Sequence, residues 1–169
     1  AFTPPGGGTS EGANDDTSGS TVSLEMAEAL GVMNFDHTVV AALWACEEEG
    51  LLGSAAFVND IPENVTVKAY MNFDMVSLNY PIVPPPGYGP YDLSIDVAGA
   101  SDENLTKMLG WVQQTVEDEL RYTPASSNSI DWEAAESCAS DHCSFFTHGY
   151  ATFNFFSAGG DSSFWQEWH

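Results

Sequence analysis

From Thr38 to Cys46 the chain is apolar almost without interruption, with two adjacent valines, and it then runs directly into Glu47, Glu48 and Glu49. An apolar run of this length, rich in small and β-branched residues, predicts a strand buried on both faces of a largely parallel sheet. In such sheets ligands bind outside the C-terminal ends of the strands. The carboxylates at the end of the run therefore fall where chemistry is expected. A second core strand is predicted over 65–71, where Val65, Val67, Ala69 and Met71 alternate to one side before the chain reaches Asn72, Phe73 and Asp74. Asp74 is thus a second acidic residue at a strand exit.

Helical periodicity separates these strands. Val22, Met26, Ala29 and Leu30 recur at helical spacing and predict a helix from about Ser18 to Gly31. Ser101 with Asp102 and Glu103 behind it is a helix start, and Leu105, Met108, Leu109, Val112, Val116 and Leu120 share one face, so a long helix is predicted to end near Arg121. A third strand is predicted over 151–157. Residues 1–20, rich in Gly, Pro, Ser and Thr, read as a loop, and residues 80–91, with five prolines, as a surface loop. Strands alternating with helices predict an α/β fold, a three-layer sandwich with a mixed, mostly parallel central sheet flanked by helices. At 169 residues the chain is expected to form one domain with a real hydrophobic core.

Charge narrows the partners. Lys and Arg number 3 against 25 Asp and Glu, a formal net charge of -22, so nucleic acid and anionic membrane surfaces are repelled and cationic partners, divalent metals included, are favoured. No apolar run reaches the length of a membrane span, and no intact signal peptide is expected in these residues, which leaves room for a processed, secreted chain. The acceptor patterns at Asn64 and Asn104 point to secretion and glycosylation. Of the three cysteines, Cys46 lies in the apolar run and is expected as a buried thiol. Cys138 and Cys143 are close enough to bridge in an oxidising compartment, while Asp141 and His142 between them keep a metal or local structural role open, and unpaired or structural sulfur is the simpler expectation.

A two-metal hydrolytic site needs several carboxylates and imidazoles around metals about 3.5–4 Å apart, with a base beside the attacking water. Asp15 after the glycine-rich loop, Glu47 and Glu48 at one strand exit, Asp74 at another and His169 beyond the third strand supply such parts. Each also has a plainer reading: Asp15 as a helix cap, the glutamates as a solvated charge run, Asp74 as a turn residue.

Four segments together resemble metallopeptidase family 28, the two-zinc group that includes secreted leucyl aminopeptidases and the aminopeptidase Y type. They are G-A-N-D-D-T-S-G from Gly12, W-A-C-E-E-E-G-L-L-G-S from Trp44, A-Y-M-N-F-D-M from Ala69 and S-D-H-C-S-F from Ser140. They occur in the family's order over residues 12–169. The resemblance implies a zinc aminopeptidase in which Asp15 bridges two zinc ions, Glu48 and His169 bind one, and Asp74 binds the other. Glu47 would be the general base, taking a proton from the metal-bridged water and passing it to the leaving amine. Asp141 and His142 would support the ligands, or His142 would polarise the scissile carbonyl. His37 and His148 read as structural.

The sequence departs from that pattern in two respects. The family's further zinc histidine lies in an upstream H-x-D element, and no histidine precedes His37 here. The resemblance thus implies that residues 1–169 are part of a single catalytic domain with the fold incomplete, and that ligand is expected from another segment or another chain. Positions where some relatives carry an oxyanion-stabilising Arg or Tyr read Ala139 and Trp168. A non-catalytic, self-assembling module is therefore the alternative to a peptidase, and carboxypeptidase or glutaminyl cyclase chemistry on the same fold is a third reading.

Overall fold

A computed structural model describes residues 12–76, 91–98, 107, 110, 114, 115, 129–133 and 138–157. Its elements are α1 (Thr17–Leu30), α2 (Leu52–Asn59), β1 (Tyr70–Asp74), β2 (Tyr91–Ala98), β3 (Ser129–Glu133), α3 (His142–Phe146) and β4 (Thr152–Ser157). The four strands form one sheet in the order β1-β4-β2-β3. β1 runs parallel to β4 and β2 parallel to β3, while β2 and β4 are antiparallel. This is the expected α/β arrangement, a mixed, mostly parallel sheet with helices packed on it.

Aromatic side chains explain the tightest ladder. In the β1–β4 register Phe73 lies opposite Phe155, and the two rings stack with centroids 4.7 Å apart. Such cross-strand pairs are the unit of sheet stabilisation. On the other side of β1, Tyr70 stacks on Phe145 of α3 at 3.9 Å, with Trp44, Phe57 and Tyr150 closing the cluster around Phe145. Phe153, fully buried in β4, and Val58, Met75 and Phe145 complete the described core.

α1 agrees with the periodicity to within a residue at each end, and β4 likewise. The predicted strand over Thr38–Cys46 is a correction: these residues form no strand and pair with none among the described residues. Val39, Val40 and Leu43 are exposed, while Ala42 and Trp44 are half-buried. Apolar content reports a demand for burial. It does not supply the neighbouring strand that a ladder requires. Cys46 is accordingly not a buried thiol but an exposed free one, in a turn where its φ is 60°. The second strand starts later than expected, at Tyr70, and 65–69 belong to no strand.

α2, β2 and β3 were not anticipated. The helix predicted over 101–121 falls outside the described residues apart from Lys107, Gly110, Gln114 and Thr115, which are helical. The proline-rich segment 80–91 also lies outside them, except for Tyr91, which opens β2. Asn64 sits exposed in a turn ahead of β1, and Asn104 is outside the described residues. No helix among the described residues is long and apolar enough to cross a membrane.

Candidate active site

The glycine-rich loop is tied to the end of β1 by its own polar groups. Gly12 turns the chain at φ 63°, and its carbonyl accepts from the Thr17 amide at 3.0 Å. Asp16, not Asp15, caps α1: its Oδ1 accepts from the Gly19 amide at 3.1 Å and from the Met75 amide at 3.3 Å. Ser18 adds two more ties, its hydroxyl donating to the Asn14 carbonyl at 2.6 Å and accepting from the Val76 amide at 3.0 Å. The Asp15–Asp16 peptide is cis. The start of α1 thus sits beside Asp74, and Gly19 is there because nothing larger fits against the Phe73 carbonyl.

Glu47, Glu48 and Glu49 occupy a turn rather than a strand end. The Glu47 carbonyl accepts from the Gly50 and Leu51 amides at 2.9 and 2.8 Å, which folds the chain straight into α2. Gly53 lies so close to Ala45 that an added Cβ would be 2.6 Å from its carbonyl oxygen. These contacts hold the glutamates between Trp44, anchored in the aromatic cluster, and α2.

The third component is the segment at the start of α3. Cys138 and Cys143 are joined in a disulfide, the bridged option among those left open by sequence, and the loop they close carries Ser140, Asp141 and His142. All three are buried. Ser140 accepts from the Asn72 side-chain amide at 2.8 Å, and its hydroxyl lies near enough to Asp74 to favour that carboxyl's charged form. Ser54 of α2, fully buried, shares a 2.8 Å bond with Ser144 and acts on the Asp141 carboxyl in the same way. His148 bonds the Ser144 carbonyl at 2.8 Å and Asn59 at 3.3 Å, a structural tie between α3 and α2.

Electrostatics shows which side chains converge. Burial pushes the Glu47 carboxyl up to about 7, helped by Asp74, Glu48, Asp141 and Asp15 in that order. Burial also raises Asp16 to about 7, with Asp74 the next cause. Asp74 and Asp141 are raised by burial as well; bonds from Ser140 and Ser54 respectively, and the nearby His142, pull them partly back. Carboxyls whose ordinary values are 3.8 and 4.5 thus hold protons to about 7 in the folded chain. A folded state that binds more protons than the unfolded one loses stability as pH rises through that window. The protein is therefore expected to show a thermal midpoint that falls between about pH 4 and pH 7 and then levels. Differential scanning calorimetry across that range checks this; a midpoint rising through it would contradict the charge cluster.

Six of the anticipated residues, Asp15, Glu47, Glu48, Asp74, Asp141 and His142, are brought into mutual electrostatic reach. His169 lies outside the described residues. Among the described residues no three His, Cys, Asp or Glu side chains gather closely enough to hold a metal ion. The donor chemistry nevertheless fits a divalent cation: carboxylates with an imidazole nearby, charged against one another, with Asp141 Oδ1 buried and lacking a hydrogen-bond partner among the described residues. Sequence reading missed Asp16, Ser54, Tyr70 and Asn72. Only Asp16 had a visible signal, its place just ahead of a helix.

Comparison with known proteins gives one consistent result. The model of peptidase family M28 matches residues 3–169. The chain is similar to leupeptin-inactivating enzyme 1 of Streptomyces exfoliatus, 39% identical over 85 residues that cover 48% of this chain and 18% of that protein. It is also similar to a probable leucine aminopeptidase 2 of Aspergillus fumigatus, 40% identical over 75 residues, 43% of this chain and 15% of that protein. Among solved structures, an aminopeptidase from Aneurinibacillus sp. strain AM-1 superposes with a TM-score of 0.61 at 25% identity, over 89% of this chain and 32% of that one. The chain thus spans less than a fifth of these curated relatives and about a third of that solved structure.

Proposed function

The chain belongs to peptidase family M28, and from that premise we propose that it forms part of the catalytic domain of a zinc-dependent aminopeptidase releasing apolar N-terminal residues from peptides. The observation that carries the reading is the convergence of Asp15, Glu47, Glu48, Asp74 and Asp141 from four separate segments onto one acidic centre. Asp15, Glu48, Asp74 and His169 would hold two zinc ions, with a further histidine from another segment or chain. Bound zinc would supply Lewis acidity and make water acidic enough to attack at neutral pH.

The remaining work falls to this chain's own groups. Glu47, half-buried beside the acidic centre, can take a proton from the attacking water and return it to the leaving amine. The acidic centre attracts a peptide's terminal ammonium and, with a net charge of -22 behind it, repels carboxylate ends. That preference selects N-termini. His142 and Asp141, both buried beside Asp74, are placed to support the ligands or to polarise the substrate carbonyl. The same reading makes the enzyme secreted and glycosylated, supported by the exposed Asn64.

Hydrolysis of a chromogenic leucyl amide by the full-length protein, with and without chelator, is the test. Chelation should abolish turnover and added zinc restore it. No chelator-sensitive turnover would overturn the proposal, and zinc binding without turnover would favour the structural-module alternative. Treating the same secreted material with a glycan-removing enzyme should lower its mass; an unchanged mass would remove the glycoprotein part.

A further inference from the structure

Along one face of β1 a chain of hydrogen bonds has a direction forced by elementary donor and acceptor chemistry. Trp44 Nε1 can only donate, and it donates to the Tyr70 hydroxyl oxygen at 3.0 Å. Tyr70 then places its single proton on Asn72 Oδ1, at 2.7 Å. With its oxygen so engaged, Asn72 turns its amide nitrogen inward, where its two protons go to Ser140 Oγ at 2.8 Å and Asn154 Oδ1 at 3.0 Å. Ser140 accepts from Asn72, so its one proton is free to turn toward the neighbouring Asp74 carboxyl, which the Ser140 hydroxyl favours in its charged form. Tyr70, Asn72 and Asp74 alternate by two along β1 and so share a face. Asn72, Ser140 and Asn154 are buried, where no solvent can replace a misdirected bond.

We propose that Tyr70 and Asn72 are positioning residues: by fixing the direction of the Ser140 hydroxyl they hold the Asp74 carboxylate in one orientation for a divalent cation. The inference rests on the reading of Asp74 as a metal ligand. Without the Tyr70 proton, Asn72 Oδ1 loses its donor, and only the bond to Asn154 Oδ1 still favours the present orientation of the amide. A flipped amide presents its oxygen to Ser140, whose proton then turns to Asn72, and Asp74 loses its donor. Groups that orient a ligand in this way are worth about 10–100-fold in metal affinity.

The experiment measures zinc affinity by chelator competition in the full-length protein, for the wild type, Tyr70→Phe, Ser140→Ala and the double variant. Tyr70→Phe keeps the ring stacked on Phe145, so the fold should survive with a metal-free thermal midpoint lowered by the two lost bonds to Trp44 and Asn72, while zinc binds about 10-fold or more weakly. Ser140→Ala should weaken binding comparably, and the double variant no further, because Tyr70 acts through Ser140. Asn72→Asp, which keeps the shape but cannot donate, should shift affinity in the same direction and serves if Tyr70→Phe does not fold. Losses that add in the double variant, or unchanged affinity in Tyr70→Phe and Asn72→Asp alike, overturn the inference while leaving the peptidase reading in place. A wild type that binds no zinc takes down both, and so separates the two failures.

Discussion

Glu47→Gln in the full-length protein is expected to lower turnover of a leucyl amide by about 10²–10⁴-fold, the range a positioned general base supplies, with zinc content unchanged. The substitution keeps the shape of the side chain and removes only its ability to carry a proton. Glu47 is the half-buried member of the glutamate run, raised to about 7 first by burial and then by four neighbouring carboxylates, whereas Glu48 beside it is exposed. The roles of the two should therefore part experimentally. Glu47→Gln should depress kcat with little change in KM, while Glu48→Gln should lower zinc content. Steady-state kinetics with metal analysis on both variants reads this out. Equal loss of zinc in the two would reverse the assignment of base and ligand.

Gly19→Ala should be the most damaging single methyl in the described structure. A Cβ at that position would overlap the Phe73 carbonyl oxygen and Asp16 Oδ1, and would lie 2.7 Å from the Phe73 carbonyl carbon. Main-chain atoms in the middle of a paired strand cannot step aside, so α1 must withdraw from β1. Overpacking of this kind costs about 3 kcal/mol or more. Withdrawal also breaks the bonds from Asp16 and Ser18 to Met75 and Val76, which set Asp15 beside Asp74. Urea unfolding should show a lowered midpoint and metal analysis a lowered zinc content. An unchanged midpoint would mean that α1 does not approach β1 as described.

The acidic centre was legible because each of its members follows a local pattern. Asp15 ends a glycine-rich loop, Glu47 and Glu48 close an apolar run, and Asp74 closes an alternating one. α1 and β4 were legible for the same reason, since period and composition act over a few residues. The supporting network was not. Trp44 reaches Tyr70 across 26 positions, and Asn72 reaches Ser140 and Asn154 across 68 and 82, separations to which periodicity is blind. β2 is a different case: Leu93, Ile95 and Val97 alternate with polar residues, a readable strand signal next to the proline-rich segment. The Thr38–Cys46 run shows the opposite error, in which strand-like composition stands without a paired neighbour among the described residues.

The anchoring of α1 has a consequence for how this sequence can change over time. Gly19 is its one fully buried residue among the described residues, with Val22, Met26 and Leu30 half-buried and Leu24 60% exposed, so the helix is held most tightly at its first turn. Drift along the rest of the helix should leave the acidic centre untouched. Selection on this element falls on Asp16, Ser18 and Gly19, and lineages can diverge widely in the surface that α1 presents while keeping the same chemistry beneath it.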